Sequence, residues 1–205
     1  MKLLIVGVVA LTLAIAGASQ AQDANAHYRD LLAKAKAGQA VDWQALRFAY
    51  AASADADGPP DDIRKKMFAA LNAGNFDDAL TQAKTIIDKD YVDGEAHLVA
   101  SMAHRHLKQD GEADAEQAVA VAIFKSIQTG DGLTPASAFT VISVGEEYEL
   151  LRAMGRRVTL QALQQAGRHS YDVMTTASAD GDQKVFYFQI DRVLEAEQKL
   201  FGGKK

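Results

Sequence analysis

In the first half of the chain, apolar residues recur with the spacing of α-helices. One face of an early predicted helix consists of Tyr28, Leu31, Leu32 and Ala35. These positions lie three or four residues apart, which is the period of a helix with one buried side. Asp42 is a suitable N-cap for the next apolar stripe, because its carboxylate can accept a hydrogen bond from a first-turn backbone N–H. The pattern therefore predicts consecutive helices in this half.

A repeat with a period of 34 residues is detectable between about Arg64 and Ile127. The shift superposes Ala69 on Ala103 and Ala79 on Ala113. Small side chains at a fixed period allow paired helices to approach closely, and this pattern resembles a tetratricopeptide repeat. Two units are fewer than the three or so that a free-standing array needs, so we expect the flanking elements to cover the exposed ends.

The pattern changes between Ser126 and Leu150, where helical spacing gives way to turn and strand signals. Gly130-Asp131-Gly132 predicts a tight turn, since glycine tolerates positive φ and aspartate accepts turn hydrogen bonds. The following run, Phe139–Val144, is nearly all β-branched or aromatic and predicts a strand. Further strands are predicted over 170–177 and 183–190, joined by a hairpin turn.

These patterns together predict an α+β protein. Residues 1–21 form a signal peptide, 22–129 a tetratricopeptide-like helical region of antiparallel pairs, and 130–205 a small antiparallel β-sheet region packed on it. Helical spacing returns over 192–201, which predicts a C-terminal helix. We expect the helical region and the sheet to form one folded unit.

The N-terminal residues have the pattern of a secretory signal peptide. Lys2 is followed by an uncharged apolar run over 3–16 and then by small residues. That run is shorter than the roughly 20 residues needed to span a bilayer, which favours cleavage over anchoring. Cleavage is predicted after Ala21, with Ala26 as a second acceptable position. The mature protein is therefore expected in the periplasm or the secreted fraction.

Composition excludes several classes of function. The chain has no cysteine, which excludes lipid attachment through an N-terminal cysteine, disulfides and thiolate chemistry. Its 22 basic and 27 acidic side chains give a net charge of −5, which does not favour nucleic acid or anionic lipid. Phosphate-loop, dinucleotide, HExxH and GxSxG motifs are absent, and the five histidines show no metal-ligand spacing. No cofactor or metal is predicted.

Five polar residues are candidates for a binding site. They share a position beside a predicted turn, strand end or helix face, and they are Arg47, Asp131, Glu146, Glu147 and Tyr148. On a strand, Glu146 and Tyr148 would share a face, with Glu147 on the other. Either an ion pair to Arg47 or Arg152 docks the sheet on the helices, or a polar pocket forms at the helix–sheet junction.

Several unusual motifs resemble an exported bacterial family, catalogued as domain of unknown function 4919. The motifs are Leu46-Arg47-x-Ala49-Tyr50, Ala138-Phe139-x-Val141-Ile142-Ser143, Glu146-Glu147-Tyr148, Tyr171-Asp172-x-Met174 and Tyr187-Phe188. The resemblance spans nearly the whole mature chain. It implies an exported protein with a tetratricopeptide-like helical region and a small C-terminal sheet. It implies no activity and no catalytic residue.

Two classes of function are consistent with these features. The first is a non-catalytic module that binds an envelope protein or a peptide. The second is a hydrolase-type enzyme that uses carboxylates at the helix–sheet junction for acid and base catalysis. The absence of nucleophile and metal motifs favours the binding module.

We predict that the mature chain begins near Gln22, because small residues precede this position and permit signal-peptidase cleavage. The intact mass of the native protein, isolated from cell fractions of its source, measures the N-terminus directly. A start at Asp23–His27 would indicate the second cleavage position. An intact Met1 would contradict the prediction.

Overall fold

The computed structural model describes residues 7–56, 58 and 60–202. The chain divides into two compact units, Met1–Asp57 and Gly58–Lys205. Each unit has its own helices, and all strands of the described residues belong to the second. None of the described helices combines the length and the apolar character that a bilayer-spanning segment requires.

The first unit consists of helix α1, Gly7–Lys36, and helix α2, Trp43–Ala52. The predicted cap is confirmed, because the Asp42 carboxylate accepts a hydrogen bond from the Ala45 N–H at 3.0 Å. The rings of Tyr28 and Tyr50 lie 5.5 Å apart and join the two helices. Residues 1–6 of the predicted signal peptide lie outside the described residues, and its cleavage stays a prediction.

The second unit begins with four consecutive helices. They are α3, Asp61–Asn72; α4, Phe76–Lys89; α5, Gly94–His106; and α6, Asp110–Ile127. Each packs against the next one along the chain. Helix α5 begins 33 residues after α3, and α6 begins 34 residues after α4. The predicted period is therefore present in the helix positions, while the resemblance to a tetratricopeptide repeat stays a prediction.

Small residues lie where these helices approach most closely. Ala79 and Ala83 of α4 have no exposed surface and pack in one apolar cluster with Met67, Ala96 and Ala100. A larger side chain at either position of α4 has no room without moving a neighbouring helix.

The strand predicted over Phe139–Val144 is wrong for most of its length. Strand β1 contains only Phe139–Thr140, and helix α7 runs over Val144–Ala153. The cause is a helix cap that outweighs β propensity. The Ser143 hydroxyl accepts a hydrogen bond from the Glu146 N–H, while the Glu146 carboxylate accepts one from the Ile142 N–H at 2.8 Å. This Ser-x-x-Glu arrangement is close to a capping box.

Three further strands complete the sheet: β2, Arg156–Ala166; β3, His169–Ser178; and β4, Gln183–Gln189. The strand order is β1-β4-β3-β2. The pairs β2–β3 and β3–β4 are antiparallel, whereas β1 joins β4 in parallel, so the sheet is mixed. Helix α8, Asp191–Gly202, follows. The α+β class, the C-terminal helix and the predicted hairpin are confirmed.

The sequence pattern did not predict β2, because its apolar residues do not alternate regularly. A bulge lies between Val158 and Leu160, which pair with Thr176 and Thr175. The extra residue reverses the alternation at that point, so the period-2 signal is lost.

One side of the sheet packs on helices α6 and α7. Phe139, Phe186 and Phe188 form the aromatic centre of this core, with ring centroids of Phe139 at 5.8 and 5.5 Å from the other two. Gly132 lies directly over Phe139, where a Cβ atom would come within 2.5 Å of the ring. This glycine also has φ of +73°. The predicted turn is therefore a close packing contact as well as a turn.

Replacing Ala83 with leucine should lower the free energy of unfolding by about 1 to 3 kcal/mol, because the added carbons must displace a neighbouring helix. Ala79→Leu should have a similar effect. Urea unfolding at fixed pH measures both. Ala69→Leu is the matched control, since Ala69 is exposed on α3. An unchanged midpoint in both α4 variants would show that the helices do not cross closely there.

Candidate functional site

Helix α7 directs three carboxylates into the protein. Glu146, Glu147 and Glu149 are 5%, 0% and 6% exposed. Charged side chains are rarely buried to this degree unless each is paired, hydrogen bonded or neutral. The surroundings of each glutamate therefore decide what the helix can do.

Glu149 belongs to an ion-pair network that joins three helices. The Arg64 guanidinium on α3 contacts Glu149 at 3.1 Å and Glu95 at 3.0 Å, and it also pairs with Asp93. Arg152 binds both Glu95 oxygens, at 2.5 and 2.7 Å. Burial and the nearby Asp93 raise the pKa of Glu149 well above its ordinary value, and Arg64 opposes that rise.

The guanidinium of Arg64 is itself partly buried, which by itself would lower its pKa. The surrounding carboxylates, Asp93 and Glu149 foremost, more than compensate and raise the pKa of Arg64 above its ordinary value. Arg64 therefore keeps its charge and serves several acids at once. The predicted ion pair that docks helices together exists, but it uses Arg64 and Glu149.

Glu147 has no such cation in its surroundings. Neither of its carboxylate oxygens has a hydrogen-bond partner among the described residues. Burial, followed by the proximity of Asp172 and Glu146, raises the pKa of Glu147 to about 9. At neutral pH the side chain is therefore a protonated acid. In that form it can donate a hydrogen bond to Asp172, which accounts for its tolerance of burial.

A short hydrogen-bond chain connects α7 to the sheet. The Tyr148 hydroxyl donates to the Gln161 side-chain oxygen at 2.7 Å. The Gln161 amide then donates to Asp172 at 2.7 Å. Tyr148 thus contacts β2, and Glu147 lies beside the Asp172 carboxylate of β3. This chain fixes α7 against the face of the sheet.

The five predicted site residues do not share one environment. Glu146, Glu147 and Tyr148 are neighbours on α7, and the strand geometry predicted for them is wrong. Asp131 lies on an exposed turn, where the Ser137 hydroxyl donates to it at 2.5 Å and the Leu133 N–H at 2.9 Å. The hydrogen bond from Ser137 is the main cause that lowers the pKa of Asp131.

Arg47 lies on α2 in the first compact unit and is fully buried. Its guanidinium carbon lies 6.0 Å from the centroid of the Phe48 ring. Binding by Asp131, Glu146, Glu147, Tyr148 and Arg47 stays a prediction. The burial of the α7 carboxylates shows that they are not the lining of an open cleft.

Sequence reasoning missed a polar pair at the other end of the sheet. His169 Nδ1 lies 2.5 Å from Asp191, and the second Asp191 oxygen accepts from the Ser170 N–H at 2.9 Å. Burial would raise the pKa of Asp191, but hydrogen bonds from Ser170 and His169 hold it below its ordinary value. The two residues are 22 positions apart, so no local spacing signals the pair.

This pair borders a cavity of about 390 Å³, lined by residues from the start of β3 and from α8. The Arg168 Nε–H donates to His169 Nε2 at 3.3 Å, so Nδ1 is the nitrogen that donates to Asp191. The contact attaches the beginning of α8 to the sheet. It also orients the imidazole, which is the arrangement of a hydrogen-bonded structural pair as much as of a base.

Strand β2 forms an edge of the sheet, and this edge is open. Only β3 pairs with it, and its residues are exposed from Thr159 to Gln165. Leu160 is 63% exposed and Leu163 is 66% exposed. Large apolar side chains at this exposure, on a strand with one unpaired side, are typical of surfaces that accept another strand.

The backbone of β3 shows which groups of β2 face outward. The Ser170 carbonyl accepts a hydrogen bond at 3.0 Å from the Ile190 N–H, directly after β4. Successive β3 residues direct their backbone groups alternately to β4 and to β2, so the residues opposite the β4-directed ones turn away from the sheet. In the observed register these are Gln161, Leu163 and Gln165. Their N–H and C=O groups face solvent.

The fold and this site define an α+β protein with a mixed sheet, buried acids at the helix–sheet junction and one open strand edge. The chain belongs to the family Domain of unknown function (DUF4919), which it matches over residues 19–199. This confirms the family resemblance in its motifs. No curated protein and no solved structure matches the chain.

The raised pKa of Glu147 predicts a pH-dependent stability. In the unfolded chain Glu147 titrates near its ordinary pKa of 4.5, whereas in the folded protein its pKa is about 9. The unfolded chain therefore releases this proton more easily, so the contribution of Glu147 to the free energy of unfolding falls as pH rises from about 5 to about 9. Glu147→Gln stays neutral and should lose this part of the slope.

Urea unfolding of wild type and Glu147→Gln across this pH range measures the difference. Glu112→Gln, at an exposed position of α6, is the matched control and should keep the wild-type slope. Parallel pH profiles for wild type and Glu147→Gln would show that Glu147 is ionised in the folded protein.

Proposed function

We propose that this protein is a non-catalytic binding module that takes up an extended segment of another protein as an additional strand along β2. The observation that carries the proposal is the open edge, with outward backbone groups at Gln161, Leu163 and Gln165. Strand addition to a free edge is a recurring mode of peptide recognition, in which main-chain hydrogen bonds supply affinity.

The composition of β2 supports this function. Natural edge strands usually avoid pairing through proline, charged residues, short length or a bulge. β2 has 11 residues, and positions 158–166 contain no charge and no proline. Its bulge lies near the N-terminal end, so the register from Leu160 to Ala166 is uninterrupted. The central part of this edge is therefore free of the usual obstacles.

The exposed leucines add apolar area to the same edge. Leu160 is paired with Thr175 and Leu163 with Asp172, which places them on opposite faces of the sheet. A new strand alongside β2 would cover part of each side chain. Burying a leucine side chain fully contributes about 1.5 to 3 kcal/mol, so partial cover of two is a useful addition to the backbone hydrogen bonds.

The geometry favours binding over the hydrolase alternative. A general acid or base must come within hydrogen-bond distance of the substrate. The α7 carboxylates are buried, and Glu149 and Glu146 are already occupied by Arg64 and the Ile142 N–H. The export expected from the N-terminal sequence would place the partner among envelope or secreted proteins.

Leu163→Pro should weaken strand addition at least about tenfold, because it removes one outward N–H donor and introduces a ring at the pairing edge. The probe is a fluorescent peptide of alternating valine and threonine with glutamine at both ends, followed by anisotropy. Leu163→Thr is the matched control, since it also lacks the leucine but retains the N–H.

A copy of the peptide N-methylated at alternate amides tests the backbone directly and should not bind. Gln165→Pro, with Gln165→Thr as its control, provides a second pair if Leu163→Pro does not fold. Equal affinity of the proline and threonine variants, or no binding by wild type, would contradict the proposed function.

A further inference from the structure

The edge strand lies in the most basic part of an acidic chain. Between Glu149 and Asp172 the sequence contains no acidic residue, while the whole protein carries a net charge of −5. The basic side chains of this stretch are Arg152, Arg156, Arg157, Arg168 and, if protonated, His169. The charge next to β2 is thus opposite in sign to that of the protein as a whole.

Two of these arginines are neutralised within the fold and two are not. Arg152 pairs with Glu95, and Arg156 pairs with Asp182 at 2.5 Å. Arg157 and Arg168 are exposed. In the part of the chain that the structure describes, neither of them forms an ion pair. They lie just outside the two ends of the uncharged segment 158–166.

These two charges disfavour pairing of β2 with β2 of a second copy. A two-fold antiparallel pairing that uses all three outward-facing residues sets Leu163 against its own copy. The same register sets Val158 opposite Arg168 of the second copy, so Arg157 becomes the next neighbour of that arginine. Symmetry repeats the contact at the other end. Like charges at neighbouring cross-strand positions are destabilising, so both ends of such a dimer repel.

We infer that the segment bound by β2 carries acidic residues at both ends of its paired part, with an uncharged alternating stretch between them. This inference rests on the proposed function and specifies the partner. Arg157 and Arg168 then attract the correct segment and repel a second copy with the same charges. An edge that excludes its own copy while remaining open to a partner is a recognised way to avoid self-association.

The spacing of the arginines sets the length of the partner segment. At roughly 3.3 Å per residue, the 11 positions from Arg157 to Arg168 span about 36 Å of extended chain. The acidic residues of the partner should accordingly lie about nine to eleven residues apart. A single acidic cluster at one end would reach only one of the two arginines.

The test compares three labelled peptides that share one eight-residue core of alternating valine and threonine. Their ends carry aspartate pairs, glutamine pairs or lysine pairs. Wild type should bind the aspartate peptide about three- to tenfold more tightly than the glutamine peptide, with the lysine peptide weakest. This order should shrink between about 50 and about 500 mM salt, since screening weakens exposed charge pairs.

Arg157→Glu combined with Arg168→Glu should reverse the order of the three peptides. Lys65→Glu combined with Lys84→Glu makes the same change in net charge at exposed positions of α3 and α4 and should leave the order intact. Equal affinity of wild type for all three peptides would overturn the inference and leave the proposed function standing. Binding of none would overturn both.

Sedimentation of the wild-type protein supplies an independent readout. We expect no dimer that depends on the β2 edge. A dimer that Leu163→Pro dissociates and Leu163→Thr does not would show that β2 accepts its own copy, and the inference would be wrong.

Discussion

The second compact unit depends on the burial of carboxylates without uncompensated charge. An unpaired buried carboxylate is strongly unfavourable, so each of the three glutamates of α7 requires its own solution. Glu149 is paired with Arg64, Glu146 accepts the Ile142 N–H, and Glu147 retains its proton. Removing the single cation Arg64 would leave several acids facing one another, which costs more than the loss of any one exposed pair.

This arrangement also explains where the open edge lies. α7 is held to the sheet through Tyr148, Gln161 and Asp172, so it covers the face beside β3 and the start of β2. The aromatic core lies under β1, β3 and β4. β2 extends the sheet past that core, and its outer side pairs with no strand of the described residues. The helix that buries the acids therefore leaves the edge strand exposed.

Several elements followed from local sequence. The Asp42 cap, the closely packed Ala79 and Ala83, and the hairpin before β4 all depend on interactions within a few residues or on a simple period. Two elements did not follow. α7 was concealed by the β-branched run before it, although Ser143 and Glu146 carry the capping signal. β2 was concealed by the bulge that breaks its alternation.

Sequence by itself determined the helix positions, the α+β class and the family, because periodicity, caps and motifs act over short distances along the chain. Only the tertiary structure decided the state of the candidate site. Glu149 meets Arg64 across 85 positions, and Glu147 meets Asp172 across 25. Whether a carboxylate is charged, and whether a strand edge is covered, depends on which distant groups exclude water from it. That exclusion is a property of packing in space.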